Sequence, residues 1–235
     1  MRKFQKGLAF LPVLLIAILV GALVYGVRNQ QIKEKQKKDV AALERFLEAD
    51  TKHGTYVYQA TYPSEGGTRP EENAEFWIKG ETKYRDDHYV GGVKRISVVA
   101  TDGVPYMCGS PLGTPLCNPS PAPLSFYLLA FAKPSVEAGY AGEDRTNGCT
   151  KYLYPIKQTY SQEGASNSYH AEDLTYCISG NQDIIYAIYR GYIPEMRGEI
   201  SDPNDMDVHN YKFTKIESGI EIPESTFNLP YSPQE

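Results

Sequence analysis

Four histidines are the first side chains in this 235-residue sequence to consider for catalysis or metal binding. They are His53, His88, His170 and His209, and their wide spacing forms no HExxH or comparable metal-binding pattern. The sequence also contains no GxSxG nucleophile motif, no P-loop and no GxGxxG dinucleotide motif. It therefore predicts no catalytic residue, no cofactor and a protein that is not an enzyme.

Three aspartates in the acidic segment 194–207 are the other candidates for a metal site: Asp202, Asp205 and Asp207. Their spacing does not match an EF-hand loop, and the glutamate that closes such a loop is missing. A solvated loop without metal is the preferred interpretation.

The four cysteines are Cys108, Cys117, Cys149 and Cys177, and they lack the CxxC pairs of a zinc or redox site. An even number of cysteines in a chain with an apolar N-terminal segment favours disulfides in an oxidising compartment. We predict Cys108–Cys117, which closes one proline-rich loop, and Cys149–Cys177, which joins two strands of one sheet. This places the body of the protein on the extracytoplasmic side.

Charge is unevenly distributed along the chain. Residues 1–45 contain nine Lys and Arg against three acidic residues, so the remaining residues carry a net charge of −11. A nucleic-acid-binding surface requires a basic face, so the acidic body argues against a nucleic-acid partner.

The segment Gly7 to Val27 contains twenty-one residues without a charge, which is long enough to cross a bilayer as a helix. We interpret it as an uncleaved signal anchor, a single-pass transmembrane helix whose partner is the lipid bilayer. A cleavable signal peptide is the close alternative, although no clear Ala-x-Ala site follows. A prepilin-like leader is a third possibility, but Pro12 stands near the position where a pilin has glutamate.

A juxtamembrane helix is predicted to follow, because Val40, Leu43, Phe46 and Leu47 form one apolar stripe. Gly is common just beyond helix C-termini, so we expect the helix to end at His53-Gly54. The predicted organisation is an anchor at 1–27, the juxtamembrane helix at 28–53 and a β-rich domain at 54–235.

The stretch from Glu75 to Tyr106 predicts an antiparallel meander. Gly91-Gly92 and Asp102-Gly103 supply the positive φ angles that tight hairpin turns need. Later segments predict a buried helix at Leu124 to Ala132, a loop at 139–148 and further strands. These strands are Cys149 to Tyr154, the hairpin Asp173 to Ile178 with Asp183 to Arg190, and His209 to Ile216.

The amino-acid sequence resembles the lipoprotein-carrier (LolA-like) family over roughly residues 40 to 231. The resemblance rests on Lys79-Gly80 followed by Arg85 in the meander, and on Ile222-Pro223 with Phe227 and Pro230 near the end. It implies an α+β fold in which a strongly curved antiparallel sheet, an incomplete barrel, wraps around helices. In that family the apolar space between sheet and helices holds acyl chains of lipids or lipoproteins.

A curved sheet covered by only two helices also leaves apolar space on physical grounds. Ten residues are predicted to line it: Phe76, Trp77, Ile78, Val98, Phe126, Leu128, Leu129, Ile184, Ile188 and Phe213. A shift of one residue in strand parity would exchange the two faces.

The function predicted is binding of a lipid or lipoprotein acyl chain by a membrane-anchored extracytoplasmic protein, without catalysis. The alternative is a structural or assembly protein of the cell envelope, pilin-like or a scaffold, in which the space is filled core. An enzyme acting at the membrane ranks last.

Overall fold

A computed structural model describes residues 10–63, 66–110, 114–163, 165–197 and 202–233. The chain forms two compact units, Met1–Ala41 and Ala42–Glu235. Its three α-helices in the described residues are α1 (Phe10–Glu48), α2 (Leu124–Leu128) and α3 (Pro194–Arg197), and two 3-10 helices span Pro203–Asp205 and Glu224–Phe227.

In the described residues of the second unit, thirteen strands make up one antiparallel sheet. The first seven are β1 (Thr51–Tyr62), β2 (Gly67–Thr68), β3 (Glu72–Lys79), β4 (Lys83–Val90), β5 (Val93–Thr101), β6 (Val104–Gly109) and β7 (Leu116–Pro119). The others are β8 (Gly139–Asp144), β9 (Cys149–Tyr154), β10 (Gln158–Tyr160), β11 (Tyr169–Ser179), β12 (Ile184–Tyr192) and β13 (Asp207–Ser218). The order across the sheet is β7-β6-β5-β4-β3-β1-β13-β12-β11-β9-β8, and β7 and β8 do not pair with each other. The predicted antiparallel α+β fold is confirmed as an open sheet with few helices.

The predicted transmembrane segment begins outside the described residues, which start at Phe10. Among the helices of the described part, none combines the length and the apolar character needed to cross a membrane. The signal anchor stays a prediction.

The hairpin turns of the meander agree with the sequence. Gly91 and Gly92 have φ angles of 58° and 78°, and they join β4 to β5. Asp102 and Gly103 have φ angles of 52° and 82° and join β5 to β6. These positive values fit the two-residue hairpin turns that the sequence predicts.

One short aromatic segment fills the centre of the second unit. Phe131, in the turn after α2, contacts Tyr84 of β4, Phe76 of β3 and Tyr56 of β1. Phe126 of α2 contacts rings on the other side, including Tyr169 of β11. In the order across the sheet, the six neighbouring strands β4, β3, β1, β13, β12 and β11 thus face one short segment. In a flat sheet the outermost two of these strands would lie about 24 Å apart. The sheet must therefore curve toward α2.

We call the face that carries Tyr56, Phe76 and Tyr84 the inner face, and the opposite one the outer face. The C-terminal segment, residues 219–233, packs on the outer face of β3 to β5. Lys79 donates a hydrogen bond to the backbone carbonyl of Ile222, and Arg85 donates one to that of Thr226. The segment buries the side chains of Ile222 and Phe227. The outer face is therefore covered here as well.

The end of α1 differs from the prediction. The helix ends at Glu48, and His53 and Gly54 lie within β1. A Cβ atom at position 54 would lie 2.8 Å from Cε1 of Phe76 and 2.4 Å from the carbonyl oxygen of Lys215. Gly54 is therefore needed for close packing inside the sheet and does not cap a helix.

Two further predictions about local structure were wrong. The segment predicted as a loop at 139–148 contains β8, which pairs with β9 and bulges between Tyr140 and Gly142. The proline-rich loop between Cys108 and Cys117 is shorter than expected, because β7 pairs with β6 at its end. Both strands lie at the two ends of the sheet, where short strands with Gly or Pro are tolerated.

Candidate functional site

A cavity of about 510 Å³ lies at the end of the sheet formed by β5, β6 and β7. We call it the edge cavity. Its described lining residues are Arg95, Ile96, Met107, Cys108, Gly109, Ser110, Leu116, Asn118, Pro119 and Pro121. Most of these offer apolar atoms, so the cavity suits an apolar ligand.

The register places the edge cavity on the inner face. Met107 pairs with Val98, which itself pairs with Asp86 on β4, and all three share a face with Phe76. Ile96 lies two residues from Val98 and points the same way. Ile96 is 40 % exposed and Met107 is 37 % exposed, so their apolar surface lines the cavity in contact with solvent.

A β-bulge shapes the wall of the edge cavity. The pairing of β4 with β5 shifts between His88 and Tyr89, so that Arg95 is an extra residue between the paired Lys94 and Ile96. On the other side of β5, a Cβ atom at position 109 would lie 3.1 Å from the carbonyl oxygen of Arg95. Gly109 thus lets β6 approach the bulged strand closely, as glycine often does beside a bulge.

A buried polar cluster lies next to the edge cavity on the inner face. Asp86 is 3 % exposed, and its Oδ2 accepts hydrogen bonds from the hydroxyls of Tyr56 at 2.5 Å and Tyr84 at 2.8 Å. His88 contacts the same oxygen through Nε2 at 3.1 Å and Glu72 through Nδ1 at 3.0 Å. His88 pairs directly with Ile96 of the cavity wall. We call this set the carboxylate cluster.

The carboxylate cluster holds His88 as a cation. Burial by itself lowers the pKa of His88, but the charges and hydrogen bonds of Asp86 and Glu72 outweigh it and raise the pKa to about 10. The hydrogen bond from His88 correspondingly lowers the pKa of Glu72. Burial raises the pKa values of Tyr56 and Tyr84, and nearby Asp86 raises them further. The cluster is therefore two carboxylates bridged by one imidazolium.

The residues predicted to line the apolar space are not gathered at one site. Phe76, Ile78 and Val98 share the inner face, whereas Trp77 alternates to the outer face and stacks on His53. Ile188 also lies on the outer face. Its neighbours along β12, Ala187 and Tyr189, have buried side chains on the inner face, and successive side chains of a strand alternate between the two faces.

The remaining predicted residues lie around the core and in two other crevices. Leu128 and Leu129 line a crevice of about 320 Å³ with Ile156, beside the end of α2. Ile184 and Phe213 line another with Phe46, of about 500 Å³. Phe126 packs against Tyr169, Tyr189 and His209. Binding of an acyl chain by these ten residues stays a prediction.

Sequence reasoning missed the described lining residues of the edge cavity, apart from Cys108, which was predicted only as a disulfide partner. It also missed the carboxylate cluster, although Asp86 and His88 stand two apart in the predicted strand and must share a face. That spacing was the available signal. No comparable signal marks Met107, because its exposure depends on how far α2 extends over the inner face of the sheet.

Both predicted disulfides are confirmed. Cys108 bonds to Cys117 across the β6–β7 pair, and Cys149 bonds to Cys177 between β9 and β11. Possible ligand atoms of Asp144, Cys149 and Cys177 lie within 4.8 Å of one another. These three residues do not suit a metal ion, because both sulfur atoms are bound in a disulfide.

No protein-family model matches the chain, and no curated protein does either. Among solved structures, the chain is similar to the LolA superfamily protein NE2245 from Nitrosomonas europaea, with 6% identity over 83% of this chain and 98% of that chain and a TM-score of 0.40. The similar structures thus include a protein of the LolA superfamily, the family that the sequence resembles.

The chain is also similar to MucB structures. The identity to MucB is 15%, covering 82% of this chain and 63% of that chain, with a TM-score of 0.39. For the Pseudomonas aeruginosa MucA/MucB complex the identity is 16%, covering 82% and 61%, with a TM-score of 0.37. The chain thus spans about three fifths of the length of these chains.

Proposed function

We propose that the protein is a membrane-anchored extracytoplasmic protein that binds an acyl chain of a lipid or lipoprotein in the edge cavity, without catalysis. One observation carries the proposal: an open, largely apolar cavity of about 510 Å³ on the inner face, with Ile96 and Met107 exposed in its wall. Cavities of roughly 300 to 1,000 Å³ are typical of ligand sites.

An acyl chain is the ligand class that fits this wall. Each methylene removed from water contributes about 0.8 kcal/mol, and the exposed faces of Ile96 and Met107 would be covered at the same time. The described lining residues contain no His, Asp or Glu, and Cys108 is bound in a disulfide. The hydroxyl of Ser110 therefore has no general base among the described lining residues to activate it, which supports binding over catalysis.

Membrane anchoring and extracytoplasmic location are supported by the sequence and the cysteines. The uncharged stretch Gly7 to Val27 is long enough to cross a bilayer. Two disulfides and no free cysteine among the described residues fit an oxidising compartment.

Photolabelling tests the proposed ligand site. The full-length chain, held in a non-ionic amphipathic polymer, is exposed to a dodecyl probe with a diazirine in its chain and a maltoside head, and labelled peptides are mapped by mass spectrometry. We expect labelling between residues 93 and 121. The double substitution I96N/M107N should lower it about tenfold, because a polar wall removes the apolar contact.

The matched control is V104N, which changes an exposed apolar residue on the outer face of the same strand, β6. Its labelling should equal that of the native chain. If residues 93 to 121 of the native chain are not labelled, the acyl-chain proposal fails and a structural or assembly role becomes the better account.

A further inference from the structure

Arg95, at the wall of the edge cavity, is a cation whose side chain has no partner among the described residues. Its side chain is exposed and forms no ion pair or hydrogen bond with any described residue. The neighbouring Lys94 differs, because its ammonium is 3.3 Å from Asp87. The bulge makes Arg95 the extra residue of β5, so it has no partner directly opposite on β4.

The charge of the cavity wall contrasts with that of the body. Arg95 is the only charged residue among the described lining residues, while residues 46–235 carry a net charge of −11. Ser110 and Asn118 add neutral hydrogen-bond donors to the same wall. The net charge of the body repels an anion, whereas the guanidinium of Arg95 attracts one at this wall.

We propose that the edge cavity selects amphiphiles with an anionic head group, a carboxylate or a phosphate, and that Arg95 binds this head group while the acyl chain lies against Ile96 and Met107. This inference rests on the proposed function. A guanidinium suits both anions, because its planar fork donates two parallel hydrogen bonds to a pair of oxygens. A fatty acid and a lipid phosphate share this chemistry.

Four dodecyl diazirine probes with the same chain test the selectivity: a carboxylate, a phosphate, a trimethylammonium and a maltoside. Labelling of residues 93 to 121 in the full-length chain is compared between the native protein and R95Q, probe by probe, so that differences in probe solubility cancel. We expect R95Q to lower labelling by the anionic probes about tenfold and to leave the maltoside probe unchanged. The trimethylammonium probe should label the native cavity least.

Two controls define the outcome. R145Q changes another exposed arginine, in the turn between β8 and β9, and should leave all four probes unchanged. Raising salt from about 50 mM to about 500 mM should weaken labelling of the native chain by the anionic probes only. A stronger effect on the carboxylate or on the phosphate probe would identify a fatty acid or a lipid phosphate as the head group, and either supports the proposal.

If R95Q lowers labelling by the maltoside probe as much as labelling by the anionic probes, or lowers neither, the role of Arg95 is overturned. The acyl-chain site would still be supported by the labelling of the native chain. If no probe labels the native cavity, the proposed function itself fails. The two failures are thus distinguishable.

Discussion

His88 holds two acidic side chains together inside the protein. Asp86 and Glu72 would repel each other across the inner face, and the imidazolium between them turns this repulsion into two charge-assisted hydrogen bonds. The pKa of His88 is raised to about 10 in the folded protein, whereas an unfolded histidine titrates near 6.5. The stabilisation is therefore complete below about pH 6.5 and is lost as the pH rises toward about 10.

The substitution H88Q should lower the free energy of unfolding by about 3 kcal/mol at pH 7, because it leaves the two buried carboxylates without a cation. The difference between native protein and H88Q should shrink as the pH rises toward 10. Urea unfolding followed by Trp77 fluorescence measures both, since Trp77 is the only tryptophan and lies in the sheet.

H170Q is the control for this prediction. His170 lies on β11 away from the carboxylate cluster, 3.6 Å from Glu172, so its loss should cost less than about 1 kcal/mol. If the difference in free energy of unfolding between the native protein and H88Q stays the same from pH 7 to pH 10, the assignment of His88 as a cation is contradicted.

Local chemistry made the turns and cysteine pairs predictable, but not the roles of residues that depend on distant contacts. Gly91-Gly92 and Asp102-Gly103 specify positive φ angles by themselves, so the hairpins could be predicted. Gly54 was misassigned because the ring it accommodates, Phe76, comes from another strand. Strand parity between Phe76 and Trp77 was equally hidden, because the C-terminal segment also covers part of the outer face.

At the scale of elements, the two disulfides constrain loops of different size. Cys108 and Cys117 are nine residues apart and hold β7 to β6 at the edge cavity. Cys149 and Cys177 are 28 residues apart and connect β9 to β11. Because the loss of chain entropy in the unfolded state grows with loop length, the second disulfide should stabilise the fold more.

Replacing both cysteines of a pair by serine tests this order. We expect C149S/C177S to lower the free energy of unfolding by about 3.5 kcal/mol and C108S/C117S by about 2.5 kcal/mol. Urea titrations of the two variants beside the native chain give both values. A larger loss for C108S/C117S would show that β7 is stabilised by more than the loop-closure term.

At the scale of the whole molecule, the edge cavity exists because the sheet is wider than its helical cover. The aromatic rings of α2 and of the turn after it contact strands from β4 across the sheet to β11. The strands β5, β6 and β7 lie on the far side of β4, beyond these rings. The expectation that two helices leave part of so wide a sheet uncovered could be argued from the sequence, but the position of the edge cavity follows from where α2 stops. That position depends on long-range packing, which no pattern in the sequence specifies.

The most direct test of the acyl-chain site observes Met107 in the full-length chain. The methyl groups of the four methionines are labelled with ¹³C, and dodecanoate is added to the protein in the non-ionic polymer. Met107 lines the edge cavity, whereas Met206 is buried elsewhere and Met196 is exposed. We expect the Met107 methyl resonance to shift saturably while those of Met206 and Met196 stay in place. A Met107 resonance that does not move, or three resonances that move alike, would contradict the account.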